Sequence, residues 1–416
     1  MDRQTDAPSS TPARTLAFVG CLTRDVPYSR GARGQGIAVF DFDETTGALT
    51  PLSVTGGIDN PTWLVLNADA SRLYATSEVA GWNEGTVSAY RVDAASGTLH
   101  YINKQPTLGS IAAHAALDRS GRHLLVANYG HGTPGEVPGQ AVAVLPLRPD
   151  GGLLAACSSV AHAGAGPVAG RQEAPHPHCV LPGPDNRFVL VADLGIDAVL
   201  TYGFDALRGT LEGLRGRCAL PPGAGPRHLA FHPGGHLVFV INELDSTVAT
   251  LACDAATGTL TPLHSAAALP GGFAGQNHCA GLAVSGDGRF LYGSNRGHDS
   301  IAAFAIDAAT GRLTPIGHAP GGGGTPRSFA PDPSGRFLLV ANQAGDSLIV
   351  FGLDGGGLPR ATGQRVAIGT PMCVTLARCG AARPRAQRTA RVSERDGVDM
   401  PRAMQDAHDL DGGGYS

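Results

Sequence analysis

The chain has 416 residues, 31 basic and 35 acidic side chains and a formal net charge of −4, so it lacks the basic footprint of a nucleic-acid binder. Lys104 is its single lysine, which disfavours Schiff-base chemistry and leaves arginine to recognise carboxylate or phosphate. Eight cysteines without a C-x-x-C pair, no apolar run of about 18 residues, and a polar first fifteen residues predict a soluble cytoplasmic protein with reduced thiols.

Residues 1–13 are polar and read as an unstructured tail. The run LAFVGCLT (16–23) then opens a pattern that recurs to the far end. Its most regular phrase is an alternating strand-like run, an acidic residue and Gly-x-Leu. The first glycines of that phrase are Gly47, Gly97, Gly151, Gly209, Gly258, Gly311 and Gly356, spaced by 50, 54, 58, 49, 53 and 45 residues. Ahead of it stands a second apolar run after a turn, as in GRHLLVANYG (121–130), NRFVLVADLG (186–195) and GRFLLVANQA (335–344). Upstream of six of these lies a further strand, as in HPHCVLPG (176–183), GPRHLAFH (225–232) and TPRSFAPD (325–332). One period is therefore strand, turn, strand, loop, strand, glycine hairpin, strand.

A strand-and-turn repeat of this length predicts an all-β, seven-bladed β-propeller over residues 14–378. LAFVGCLT enters as a second strand, and GTPMCVTLA (369–377) supplies a spare first strand. Pairing of these N- and C-terminal strands would close the ring and remove an open edge. From 379 to 416 the β pattern stops, so an unstructured carboxyl-terminal tail is expected there, its arginine cluster at 383–391 solvated.

In such a ring the inner strands line a channel whose mouth makes the natural pocket. Ser77, Asn128, Asp193, Asn242, Asn295 and Asn342 are equivalent second-strand ends, and as small polar residues they suit backbone satisfaction at blade ends. The residues after them are Glu78, Tyr129, Leu194, Glu243, Arg296 and Gln343; fifteen before them stand Thr62, Ala113, His178, Arg227, Ala280 and Arg327. Two rings of equivalent positions thus hold Glu78, His178, Arg227, Glu243, Arg296 and Arg327, a cationic site with two carboxylates. A salt-bridge ring holding the blades in register is the alternative reading of the same residues. A zinc site from His176, His178, Cys179, His278 and Cys279 is disfavoured, because adjacent strand residues point to opposite faces. No metal and no cofactor is expected.

FVGCLT, APHPHCV, DNRFVLVADLGID, GPRHLAFHP, FVINELDSTV, LYGSNRGHDSIAAF and TPRSFAPDPSGRFLLVANQ occur in order over about residues 15–377. In these stretches the chain resembles the seven-bladed propeller lactonase family, which includes propeller-type 6-phosphogluconolactonases and carboxy-cis,cis-muconate cyclases. The resemblance implies that His178, Arg227, Glu243 and Arg296 are functional. It also implies hydrolysis of a sugar-acid lactone, foremost 6-phosphogluconolactone in the pentose phosphate pathway. Departures from the family lie in the EVPGQ insert (136–140), the GGGG before Thr325, and the long tail. In the expected reaction Glu243 or His178 is general base, Arg227 and Arg296 stabilise the oxyanion, and Arg327 holds the 6-phosphate. Glu78, His176 and His278 join Arg327 in substrate binding. The expected partner is a small-molecule lactone, with no nucleic acid and no membrane, and with oligomeric state open. Muconate cyclisation and a non-catalytic interaction propeller are the alternatives; against the latter, the repeats lack the G-H…W-D signature.

Overall fold

The computed structural model describes residues 14–130 and 139–380. Their strands form seven antiparallel sheets of four, each one blade. Blade 1 joins Arg14–Cys21, Ile37–Phe42 and Leu49–Thr55 to Pro371–Cys379 from the other end of the chain. Blades 2 to 7 follow in order over 61–106, 110–160, 177–219, 226–267, 278–320 and 326–367. Pro371–Cys379 touches both Pro61–Leu66 of blade 2 and Pro326–Pro331 of blade 7, so the circuit of inner strands is closed.

Closure takes the expected form, with one correction. Thr15 pairs with Arg378 and Phe18 with Thr375, and the ladder continues to Arg14 opposite Cys379, a buried residue. The propeller therefore runs one residue past the boundary expected at 378. The tails at 1–13 and beyond 380, and the first three residues of the 136–140 insert, lie outside the described residues.

The apolar core is not central. It is divided among interfaces between neighbouring blades; Phe188 and Leu190 of blade 4, for example, pack with Val238 and Val240 of blade 5. Second strands such as Leu237–Asn242 are buried along their whole length, whereas outer strands such as Leu260–Ala267 are largely exposed. Stacked sheets bury both faces of their middle strands, and the axis is left free for polar groups.

The repeated glycine works through its backbone. At Gly258, φ is +74° and the amide donates to the Asp254 carbonyl at 2.8 Å, while Asp254 Oδ1 accepts from Ala256 N at 2.9 Å. This left-handed position suits a residue without Cβ. A Cβ there would also stand 2.6 Å from the Phe188 ring of the preceding blade. In blade 7 the turn is one residue tighter, and Gly357 (φ +80°) takes this place rather than Gly356.

Each inner strand carries a bulge near its start. In blade 5, Pro226 pairs with Asn242 and His228 with Ile241, leaving Arg227 unpaired between them. The same shift singles out Thr62, Ala113, His178 and Arg327 in blades 2, 3, 4 and 7, and Met372 in blade 1. In blade 6 it lies between Cys279 and Leu282 and takes in Ala280. A bulge re-aims a side chain out of the pleat.

Candidate active site

Thr62, Ala113, His178, Arg227, Arg327 and Met372, all bulged residues, line one axial cavity with Trp63, Glu78, His228 and Ser328. The two rings of equivalent positions therefore meet at one mouth. The blade-end residues below them are structural: Asn128, Asn295 and Asn342 donate through Nδ2 to the carbonyls of Thr107, Ala268 and Gly321 at 2.8, 2.8 and 2.9 Å.

Glu243 is the electrostatic centre. Its Oε2 accepts from Arg227 Nε at 2.9 Å and lies 2.9 Å from Arg296 Nη2, while Oε1 accepts from Arg171 Nη2 at 2.5 Å. Burial alone would raise its pKa, but Arg296 and Arg227 outweigh it and hold the carboxyl well below the usual range. Arg227 is 3% exposed. It also donates through Nη1 to the Ala280 carbonyl and to His228 Nε2, both at 2.9 Å. Burial and Arg296 push it down to about 9, which leaves it charged at neutral pH. Arg296 is further fixed by the His278 and Cys279 carbonyls at 3.1 and 3.0 Å.

A second carboxylate, Glu78, lies 3.9 Å from Arg327 Nη2 and accepts from the Tyr28 hydroxyl. Four guanidiniums, those of Arg171, Arg227, Arg296 and Arg327, thus face two carboxylates, and two positive charges remain uncompensated. The imidazoles add none, because burial and Arg227 hold His178 and His228 well below their ordinary pKa. His178 Nδ1 is buried without a hydrogen-bond partner. The site is a surplus of positive charge beside neutral imidazoles.

The other two expected residues stand at the rim. His176 stacks on Tyr129 at 4.3 Å with Nδ1 against its carbonyl at 2.8 Å, and His278 is exposed beside Arg296. Cys179 turns to His114 Nε2 at 3.5 Å and Cys279 to Asn295 Oδ1 at 3.2 Å. Among the described residues no three His, Cys, Asp or Glu side chains are placed to hold a metal ion.

Arg171, Tyr28 and His228 were not singled out from the sequence, and Tyr129 stood in the second ring without a role. Tyr129 and His228 stand in or beside the repeat register and were legible there. Arg171 sits in the connection between blades 3 and 4, riveted by fully buried Gln172, whose Nε2 reaches the Leu194 carbonyl and Asp197 Oδ1, both at 2.7 Å.

The family model described as a lactonase, 7-bladed beta-propeller, matches residues 16–376. The chain is similar to a 6-phosphogluconolactonase of Bacillus subtilis, with 34% identity over 307 residues, 74% of this chain and 84% of the relative. A 6-phosphogluconolactonase of Formosa agariphila is 33% identical over 322 residues, covering 76% and 86%. Among solved structures, the periplasmic gluconolactonase of Pseudomonas aeruginosa superposes with a TM-score of 0.79 at 34% identity, covering 88% of this chain and 99% of that one.

Proposed function

This chain belongs to the seven-bladed β-propeller lactonase family, and we propose that it hydrolyses a sugar-acid lactone, 6-phosphogluconolactone to 6-phosphogluconate, as a step of carbohydrate metabolism. The observation that carries this reading is the axial cluster itself: a buried surplus of arginine beside imidazoles kept neutral. Such a pocket attracts an anionic substrate and stabilises negative charge that grows during reaction.

Hydrolysis needs water activated at the lactone carbonyl carbon and charge balance for the oxygen. Of the two expected bases, His178 fits better. It lines the cavity in its unprotonated form with one ring nitrogen unpartnered. Glu243 has both oxygens committed to guanidiniums. Its role is to hold Arg171, Arg227 and Arg296 in place. His178 takes a proton from the attacking water, and Arg227 with Arg296 faces the oxyanion. Collapse of the tetrahedral intermediate breaks the ring C–O bond, and the departing oxygen takes up the proton. Arg171, partly exposed at 31% of its side chain, is the guanidinium best placed to receive the phosphate from solvent.

The test is hydrolysis of 6-phosphogluconolactone by purified protein against a buffer blank, since such lactones open spontaneously. His178→Asn is expected to lower kcat about 10²- to 10⁴-fold with KM little changed; a rate equal to wild type removes His178 from the chemistry. We also place the protein in the cytoplasm, a reading supported by eight free thiols. No helix of the described residues is long and apolar enough to cross a membrane. Recovery of the native protein in a periplasmic extract would overturn that placement.

A further inference from the structure

Blade 1 brings apolar residues, Leu22 and Met372, to both of its ring positions. Its polar contribution comes from the connection that follows. Val26 and Ser29 bond to each other through both backbone pairs at 3.0 Å, which makes a tight turn with Pro27 and Tyr28 at the tip. Val26 packs on Leu22 and Met372, so the turn is seated beside the axis. From the tip, the Tyr28 hydroxyl donates to Glu78 Oε1 and accepts from Arg327 Nη2 at 3.2 Å. The Arg327 guanidinium also lies 4.9 Å from the Tyr28 ring centroid. Tyr28 is 52% exposed, whereas Glu78 and Arg327 are 5% and 8% exposed.

Glu78 and Arg327 present one acceptor and one donor side by side, a seat for a group that both gives and takes a hydrogen bond. A hydroxyl does both. An ionised phosphate only accepts, and here it would meet the Glu78 carboxylate. The cavity has about 10 Å³ of room, a small fraction of the ~300–1,000 Å³ of ordinary small-molecule sites. Room for a ligand has to come from something that moves, and the half-exposed phenol is anchored at this seat by its hydroxyl.

We infer that Glu78 and Arg327 bind a hydroxyl of the substrate, and that Tyr28 occupies this seat in the free protein and is displaced when the ligand enters. The ligand class rests on the lactonase reading. The seat also moves the phosphate away from Arg327, where the sequence placed it, towards Arg171. A polyhydroxylated six-membered ring fits; an unsubstituted one leaves Glu78 facing no donor, the kind of mismatch that gives strong discrimination.

The test measures binding, not turnover. D-glucono-δ-lactam, which carries the hydroxyls and does not hydrolyse readily, and δ-valerolactam, which has none, are titrated by calorimetry into wild type, Tyr28→Phe and Glu78→Gln. Tyr28→Phe is expected to bind gluconolactam about 3- to 10-fold more tightly, because the internal competitor loses its hydrogen bonds. Glu78→Gln is expected to lose about 10-fold or more for gluconolactam alone. Equal affinity of wild type for the two lactams, or unchanged or weaker gluconolactam binding by Tyr28→Phe, overturns the inference. Turnover of 6-phosphogluconolactone by the same wild-type sample separates the two claims. The expected lactam shifts without turnover remove the lactonase reading and keep the seat; turnover without the shifts removes the seat alone.

Discussion

His228 stands 5.6 Å from His114 and 5.5 Å from His178, ring centre to ring centre, and Trp63 covers His114 at 4.2 Å. Burial and the neighbouring Arg227 push His114 down to about 3 and hold the other two well below their ordinary pKa. The unfolded chain takes up protons near pH 6.5, where the folded chain refuses them. Stability from these residues is therefore complete above about pH 6.5 and is lost as pH falls below it, at about 1.4 kcal/mol per pH unit for each histidine. Melting temperature is expected to drop steeply between pH 6.5 and 5, and His114→Gln should flatten that slope; an unchanged slope would show that His114 does not carry it. Activity should persist below pH 6.5, because His178 stays in its basic form there, and decline only as the imidazole protonates. Glu243→Gln leaves three guanidiniums without their shared carboxylate. It is expected to cost about 3–5 kcal/mol of stability by denaturant titration, and a loss below 1 kcal/mol would argue against Glu243 as their organiser.

At the scale of the element, most of the axial cluster was legible because most of its members belong to a repeat. Arg227 and Arg327 could be aligned with His178 by counting from Asn242, Asn342 and Asp193, and in the structure all three are bulge residues of inner strands. Arg171 and Tyr28 had no such ruler, since both lie on connections without an equivalent in other blades. The signal for Tyr28 was a vacancy: Leu22 and Met372 left blade 1 with nothing polar to offer. The one misplaced glycine, Gly356 for Gly357, has the same origin, because the blade 7 turn is a residue tighter than the repeated Gly-x-Leu phrase implies. The glycine turns also permit a graded test. Gly258→Ala adds a Cβ at positive φ that meets Phe188, whereas Gly57 (φ +73°) has nothing within 4 Å of a Cβ. Gly57→Ala is expected to cost about 1–2 kcal/mol of strain, and Gly258→Ala about 1–3 kcal/mol more. Equal denaturant midpoints would mean that the packing of this turn on the preceding blade carries no weight.

On the scale of the molecule, stability lies in the contacts between blades, so one missing inner strand exposes two neighbours at once. A chain stopped after residue 370 loses Pro371–Cys379 and its contacts with blades 2 and 7. It is expected to aggregate or to lose cooperative unfolding, and a cooperative transition at the wild-type temperature would contradict this. The pairing of Arg14 with Cys379 also places the first and last strand residues of the propeller side by side in one ladder. The native order of synthesis therefore delays completion of the first sheet until the last strand has emerged, a contact of nearly the full sequence separation and so an intrinsically slow one. A circular permutant that joins these ends through a short linker and opens the connection at 268–277 would draw every sheet from contiguous sequence. Its refolding should outpace that of the parent, with the axial arginines left where they are.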